Sequence, residues 1–296
     1  MFNMPSYEGT IWRPPSEADS LILQATIGCS HNACSFCVSY KSKRFRVRGV
    51  EGIRSDLEGV PNILKQNATR VFLADGDALS IDTVELVSIL RLLRQHLPSL
   101  QRVGLYAYAK NLRNKSVDDL VRLREEGLGI VYFGLESGDD DVLRGMRKGV
   151  SAEENIEACL KIKRAGIPLS VTIIIGLAGV EGSTRHAQLT AEALNRIDPE
   201  YTGALTLMLP RGTEVYERMS RGDFKPLTPL DTLRELRTLV EGLKLTECVF
   251  RTNHASNYLP LRGTLNRDRQ AILELLDSAI AGDSRLVLRP EPLRGL

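Results

Sequence analysis

The chain has 296 residues, of which 43% are hydrophobic and 26% charged, and a formal net charge of +2. This is the composition of an ordinary globular protein, long enough for one large α/β domain or two small ones, and its charge balance excludes a strongly basic binder of nucleic acid. No apolar run reaches membrane-spanning length and the first residues lack the basic and apolar segments of a signal peptide, so a cytoplasmic, reducing setting that keeps thiols available is expected.

Residues 1–18, with Pro5, Pro14 and Pro15, read as an irregular arm. Residues 20–27 predict a buried strand, and directly after it comes Cys29-Ser-His-Asn-Ala-Cys34-Ser-Phe-Cys37, spaced C-x4-C-x2-C. The basic segment 41–48 alternates as an extended piece with Arg44, Arg46 and Arg48 on one face, either a solvated edge or an anion-recognising strip. Weak helical periodicity over 50–67 is interrupted at Pro61. A second strand, 70–74, runs into Asp75-Gly76-Asp77. Ser80 then predicts a helix cap, with Val84, Val87, Leu90 and Leu93 inward. A third strand, 102–109, puts Tyr106 and Tyr108 on one side. Ser116 with Asp119 predicts a shortened capping box before a helix that ends at Gly127.

The fourth strand, 129–135, ends at Glu136-Ser137-Gly138, and Ser151 with Glu154 caps a helix that turns Ile156, Cys159 and Leu160 inward. The fifth strand, 169–175, ends at Gly176-Leu-Ala-Gly179. Ser183 predicts the cap of the next helix, and a sixth strand, 202–209, ends at Pro210-Arg-Gly-Thr213. In the tail, Thr228-Pro229 opens a helix, 247–252 reads as a short strand, Asn253–Tyr258 as a polar loop and 267–281 as a helix.

Buried strands joined by helical crossovers imply a parallel sheet. Six strand–helix units with polar residues at successive strand ends favour an α/β fold of the incomplete (β/α)6 TIM-like barrel type, with a C-terminal α-rich extension, over a doubly wound sheet. The expected division is an arm (1–18), a core (19–223) and an extension packed on the core (224–296).

Three thiolates within nine residues can converge on one metal centre. They are one short of a closed four-thiolate site, so a [4Fe–4S] cluster held there keeps one iron open. A zinc site needs a fourth ligand, for which the loop offers only His31; the third possibility is incidental thiols. An odd cysteine count in a long chain speaks against a disulfide framework. Cys159 reads as core. Cys248 reads as core or as a cavity-facing thiol.

The cysteine loop, with Phe36 just before its last cysteine, resembles that of the radical S-adenosylmethionine (SAM) superfamily, with one more residue in the first gap than the usual C-x3-C-x2-C. The resemblance covers about residues 20–215. Gly134-Leu-Glu-Ser-Gly138 and Ile175-Gly-Leu-Ala-Gly179 are most similar to the branch holding methylthiotransferases, oxygen-independent coproporphyrinogen oxidases and cobalamin-dependent enzymes.

The resemblance implies that Cys29, Cys34 and Cys37 bind three irons and that the methionyl amine and carboxylate of SAM chelate the fourth. It implies that Phe36 packs near the adenine and that Asp75-Gly76-Asp77 stands where many members use Gly-Gly-Glu to bind the methionyl amine. Glu136 and Ser137 would contact the ribose and methionyl end, Lys148 or Arg147 the SAM carboxylate, and the Ile173–Gly179 segment, with Gly176, the adenine. These residue types suit such roles: a glycine turn admits close approach to a flat base, a carboxylate accepts from a ribose diol, and a cation pairs with a carboxylate. Each also has a structural alternative. Asp75 and Asp77 make a turn, Glu136 caps a helix, and Gly176 and Gly179 serve a tight turn.

The implied activity is reductive cleavage of SAM to methionine and a 5′-deoxyadenosyl radical that abstracts hydrogen from a small-molecule substrate. The electrons would come from a donor such as flavodoxin or ferredoxin. Tyr106, Tyr108 and His254 are candidate substrate contacts; packing for the tyrosines and loop stabilisation for His254 are the alternatives. An iron–sulfur electron carrier or scaffold that does not cleave SAM is the other functional class. The lack of a second cysteine cluster argues against methylthiotransfer, and the short stretch before the cysteine loop argues against a cobalamin domain.

Overall fold

The computed structural model describes residues 7–296, so the first six residues of the expected arm lie outside the described residues. In chain order the strands and helices are β1 (Leu21–Gln24), β2 (Thr26–Ile27), β3 (Arg46–Val47), α1 (Gly49–Gly59), α2 (Asn62–Asn67), β4 (Arg70–Ala74), α3 (Thr83–His96), β5 (Arg102–Ala107), α4 (Val117–Glu125) and β6 (Leu128–Glu136). There follow α5 (Asp140–Gly145), α6 (Ala152–Arg164), β7 (Leu169–Ile175), α7 (Gly179–Ile197), β8 (Tyr201–Thr206), α8 (Glu214–Ser220), α9 (Pro229–Gly242), β9 (Cys248–Arg251), β10 (Arg262–Leu265) and α10 (Arg269–Ile280). The main sheet has eight strands in the order β1-β4-β5-β6-β7-β8-β9-β10, and β2 and β3 form a separate two-stranded ribbon. No described helix is long and apolar enough to cross a membrane.

The chain forms two compact units. The first takes the described residues up to Asn32, Ser39–Phe133 and Glu157–Leu169; the second takes Ala33–Val38, Gly134–Ile156 and Ser170–Leu296. In the first unit β4 pairs in parallel with β1 and β5, and β5 with β6. Every residue of β4 after Arg70 is buried, the mark of a parallel strand covered on both faces. Ile22, Phe72, Ala74, Ile130 and Tyr132 form one of its apolar clusters. In the second unit β8 pairs in parallel with β7 and β9, and β10 is antiparallel to β9. The tail therefore adds two strands to the sheet: β9, which falls within the short strand predicted at 247–252, and β10, which was not predicted.

Several predicted details shift. The first predicted strand divides into β1 and β2. The third stops at Ala107, where the chain enters a 3-10 turn (Ala109–Leu112), and the sixth stops at Thr206. Asp82, not Ser80, caps α3: its carboxylate accepts the Val84 N–H at 2.8 Å. That start turns Val84 outward, 61% exposed, and buries Leu86, Val87, Ile89, Leu90 and Leu93. Ser183 lies inside α7, which begins at Gly179. The boxes at Ser116/Asp119 and Ser151/Glu154 form as predicted, each hydroxyl taking the N3 amide and each carboxylate returning to the cap amide.

Candidate active site

The cysteine loop leaves β2 at Gly28, whose φ of +77° is a left-handed conformation that glycine adopts without a Cβ clash. In the first unit the residues after β4 hold this end of the loop. Asp75 Oδ2 accepts the Gly28 N–H at 2.9 Å, the Gln24 amide at 2.9 Å and the Lys43 ammonium at 2.8 Å. Asp75 and Lys43 are both almost fully buried, so the ion pair is well shielded from solvent. Asp77 accepts from the Ser30 hydroxyl and the Asn111 amide. A Cβ on Gly76 would stand 2.4 Å from the Tyr40 ring, so that turn and Tyr40 pack without room for a side chain. The His31 ring lies 5.0 Å from the Tyr108 ring.

The side chains of Asp75 and Asp77 thus brace the cysteine loop. Tyr106 and Tyr108 part company: Tyr106 packs edge-on against Phe72 and Tyr132 inside the first unit, while Tyr108 follows the end of β5 and faces His31. The predicted basic face at 44–48 also divides, because Arg46 pairs with Glu8 on the surface and Arg48 with the buried Asp56.

Ala33–Val38 belongs to the second unit. The Ser35 N–H donates to Met146 O at 3.0 Å, the Ser35 carbonyl accepts the Val215 N–H at 3.1 Å, and the Cys37 N–H closes a turn onto Cys34 O. Phe36 packs against a cluster of Met146, Ile174, Leu177, Val215 and Phe224. Strand alternation puts Ile173, fully buried, on the other face of β7 from Ile174, so Ile174 is the neighbour of Phe36.

At the end of β6, Ser137 N–H donates to Leu135 O at 2.8 Å, a γ-turn centred on Glu136, whose φ is +64°. A non-glycine residue held there stores local strain. Glu136 Oε1 lies 3.0 Å from Lys148 Nζ, while Arg147 pairs with Glu214. Gly134 is required by that contact: a Cβ would stand 2.2 Å from Glu136 Oε1 and 3.1 Å from Lys148 Nζ. Gly138 is required by the close passage of α7, since its Cβ would stand 2.2 Å from Leu189 O. The Ser137 hydroxyl accepts the Asp139 N–H at 2.9 Å and so shapes the turn into α5.

Gly176, with φ +86°, ends β7. It opens on a cavity of about 550 Å³ whose wall also includes Thr206–Pro210, Met219, Leu227, Thr232, Tyr258, Glu291 and Arg294. The Arg294 side chain is almost fully buried. Its guanidinium lies 4.2 Å from the Tyr258 ring centroid and donates to Leu207 O at 3.0 Å, Ser256 O at 2.6 Å and the Glu291 carboxylate at 2.7 Å. Burial, with the Glu291 carboxylate beside it, pushes the Tyr258 hydroxyl up to about 12. His254 is outside that wall. Its Nδ1 accepts the Ser256 N–H at 3.1 Å, and burial with the Arg289 cation nearby lowers its pKa.

Two features escaped the sequence reading. Arg294 sits in a proline-rich tail with no periodicity to mark it. Glu235 falls between Thr232, Leu233, Leu236 and Leu239 on the buried face of α9, and a carboxylate on that apolar stripe is a signal that could have been read.

The donor set fits a [4Fe–4S] cluster. Cys29, Cys34 and Cys37 are half-buried, and none of the chain's cysteines is in a disulfide. Among the described residues no three His, Cys, Asp or Glu side chains gather as a single-ion site. A cubane does not ask for one, because each thiolate takes a different iron. Cys159 and Cys248 are fully buried, as core residues are.

The family model described as the radical SAM superfamily matches residues 23–187, more than half of the chain. Among curated proteins, a tRNA-2-methylthio-N(6)-dimethylallyladenosine synthase of Dehalococcoides mccartyi is 27% identical over 172 residues, 55% of this chain and 39% of that enzyme. Among solved structures, the radical SAM methyltransferase TsrM from Kitasatospora setae with cobalamin and a [4Fe–4S] cluster bound superposes with a TM-score of 0.57 at 18% identity, covering 92% of this chain and 55% of that one. Coproporphyrinogen III oxidase from Escherichia coli superposes with a TM-score of 0.51 at 15% identity, covering 75% and 52%. These structures share the α/β fold. The chain spans less than half the length of its curated relatives.

Proposed function

Because this chain belongs to the radical SAM superfamily, whose enzymes work with a [4Fe–4S] cluster and SAM, we propose that it cleaves SAM reductively and starts hydrogen abstraction on a small-molecule substrate. Cys29, Cys34 and Cys37 are the proposed cluster ligands. With only three thiolates on the loop, one iron is left for the methionyl end of SAM. Bound together, the cluster and SAM supply a one-electron cleavage of the sulfonium and hence a carbon radical.

The chain's own residues position and enclose. Asp75 and Asp77 hold the start of the cysteine loop through Gly28 and Ser30. Phe36 presents an apolar face toward the end of β7. Lys148 and Glu136 are offered to the methionyl carboxylate and the ribose diol, and Gly176, free of a Cβ, to the adenosyl portion. The apolar wall beside Gly176, made by Leu207, Leu209 and Leu227, excludes water from a reactive species. On this reading residues 1–18 are an arm, 19–223 the catalytic core and 224–296 an extension that supports it. The electron donor is a small redox protein of the flavodoxin or ferredoxin class.

The observation that carries the proposal is the three-cysteine loop, half-buried and outside any disulfide, within the span matched by the family model. The test is anaerobic reconstitution, iron and sulfide determination, then SAM with a strong reductant and mass spectrometry for 5′-deoxyadenosine. Iron and sulfide near four per chain with 5′-deoxyadenosine formed is the expected result. A cluster that never yields it moves the protein to the electron-carrier class, and zinc in place of iron overturns the proposal.

A further inference from the structure

A buried polar cluster to which the proposed function gives no role surrounds Glu235 of α9. Its carboxylate has no solvent exposure. Oε1 accepts hydrogen bonds from the Gly176 N–H at 2.7 Å and from His186 Nδ1 at 2.9 Å; Oε2 accepts the Ser183 hydroxyl at 2.5 Å. Among the described residues His186 Nε2 is buried with no hydrogen-bond partner, so the ring is held there through Nδ1. A buried carboxylate with both oxygens engaged is an anchor, because loss of any one donor leaves a desolvated polar atom behind.

The donors come from the turn after β7 and the first two turns of α7. Glu235 therefore ties the residue that opens the Gly176–Gly179 turn, and the helix that follows the turn, to α9. Gly176 is left-handed, and it faces the cavity together with Thr232, which stands one helical turn before Glu235. The shape of that part of the cavity wall depends on a peptide N–H that Glu235 holds.

We propose that Glu235 is a positioning residue for SAM. By taking the Gly176 N–H it sets the turn against which the adenosyl portion lies, so the extension (224–296) takes part in cofactor binding. The inference rests on the proposed function, in which SAM uses this turn. In Glu235→Ala the Gly176 amide loses its acceptor and the turn is released from α9.

The experiment is anaerobic titration of SAM into cluster-loaded full-length chain by calorimetry, with iron and sulfide measured on each sample. Glu235→Ala is expected to weaken SAM binding at least about tenfold, the scale of a lost hydrogen bond to a charged acceptor. Its iron content should stay that of the parent. KM for SAM should rise while kcat for 5′-deoxyadenosine stays within about twofold, the pattern of lost binding common to the ground and transition states. Glu235→Gln, which keeps an oxygen for the Gly176 N–H, should recover part of the loss.

Parental SAM affinity in a folded Glu235→Ala overturns the proposal. Should that variant not fold, Glu235→Asp, one methylene short of Gly176, carries the same expectation, and parental affinity there overturns the proposal equally. Gly176→Ala strains the turn directly. If it leaves SAM affinity unchanged, the placement of SAM on this turn fails. If it weakens binding while Glu235→Ala does not, only the role of Glu235 fails.

Discussion

Lys148 Nζ lies 3.0 Å from Glu136 Oε1, and the two side chains are only 8% and 12% exposed. The family resemblance implies a SAM contact for both, Lys148 or Arg147 at its carboxylate and Glu136 at its ribose and methionyl end, yet Lys148 and Glu136 here partner each other across the space that Gly134 leaves open. A ligand carboxylate arriving at Lys148 therefore competes with Glu136. On the proposed function the pair sets the affinity of that subsite, because its charges are little screened.

Lys148→Met should destabilise the protein by about 3 kcal/mol, since it strands the Glu136 carboxylate in a nearly dry site. Urea unfolding measures this. The double variant Lys148→Met/Glu136→Gln should regain most of the stability while SAM binding remains weakened. Parental stability in the single variant would show the contact to be incidental.

Replacing Cys29, Cys34 or Cys37 with Ala should each abolish a stable [4Fe–4S] signal, read as iron content and visible absorbance. Cys159→Ala should keep the cluster and lose on the order of 1 kcal/mol of stability, because that side chain is fully buried core. Full cluster occupancy in all three loop variants would remove the assignment.

Gly138→Ala should cost about 3 kcal/mol or more, because its Cβ would meet a backbone carbonyl, Leu189 O, that has no rotamer to yield. Gly145→Ala is the control. It ends α5 with nothing within 4 Å of the added methyl, and should be neutral or stabilising by up to about 1 kcal/mol. Thermal melts of the two variants side by side decide it.

His254 bears on stability below neutral pH. Burial and the Arg289 cation lower its folded pKa beneath the ordinary value of 6.5, so the unfolded chain binds a proton more readily than the folded one. Its contribution is intact above that value. It is lost as pH falls from the unfolded pKa toward the depressed folded one, when Nδ1 stops accepting the Ser256 N–H. Urea midpoints followed from pH 7.5 to 5 should fall, about as steeply as one proton allows, and His254→Gln should flatten that limb. Equal acid limbs in both proteins would count against this role.

Much of the fold was legible because its signals are local. The predicted fifth strand coincides with β7, whose Leu169, Val171 and Ile173 alternate inward before the apolar run Ile173–Ile175, and the boxes at Ser116 and Ser151 need only residues three apart. Ser80 was outcompeted by Asp82, which a rule about residue type cannot rank once two capping residues stand close together. β10, Arg262-Gly-Thr-Leu265, lacks alternation and exists because β9 offers it a partner. Within the candidate site the cysteines were legible as a spacing. The bracing of their loop by Asp75 and Asp77 was not, since Gly28 and Ser30 stand 47 residues from their partners.

By itself, then, the sequence determined what depends on near neighbours: which runs are buried strands, where most helices begin, and that three thiols lie close enough to share a metal cluster. Only the tertiary structure decided which charged groups meet. It joined Lys148 to Glu136, and it brought Glu235 to the Gly176 amide from 59 residues away. Residue type states what a carboxylate can accept, but which donor it meets is settled by packing, because burying it without one would cost more than the fold can spare.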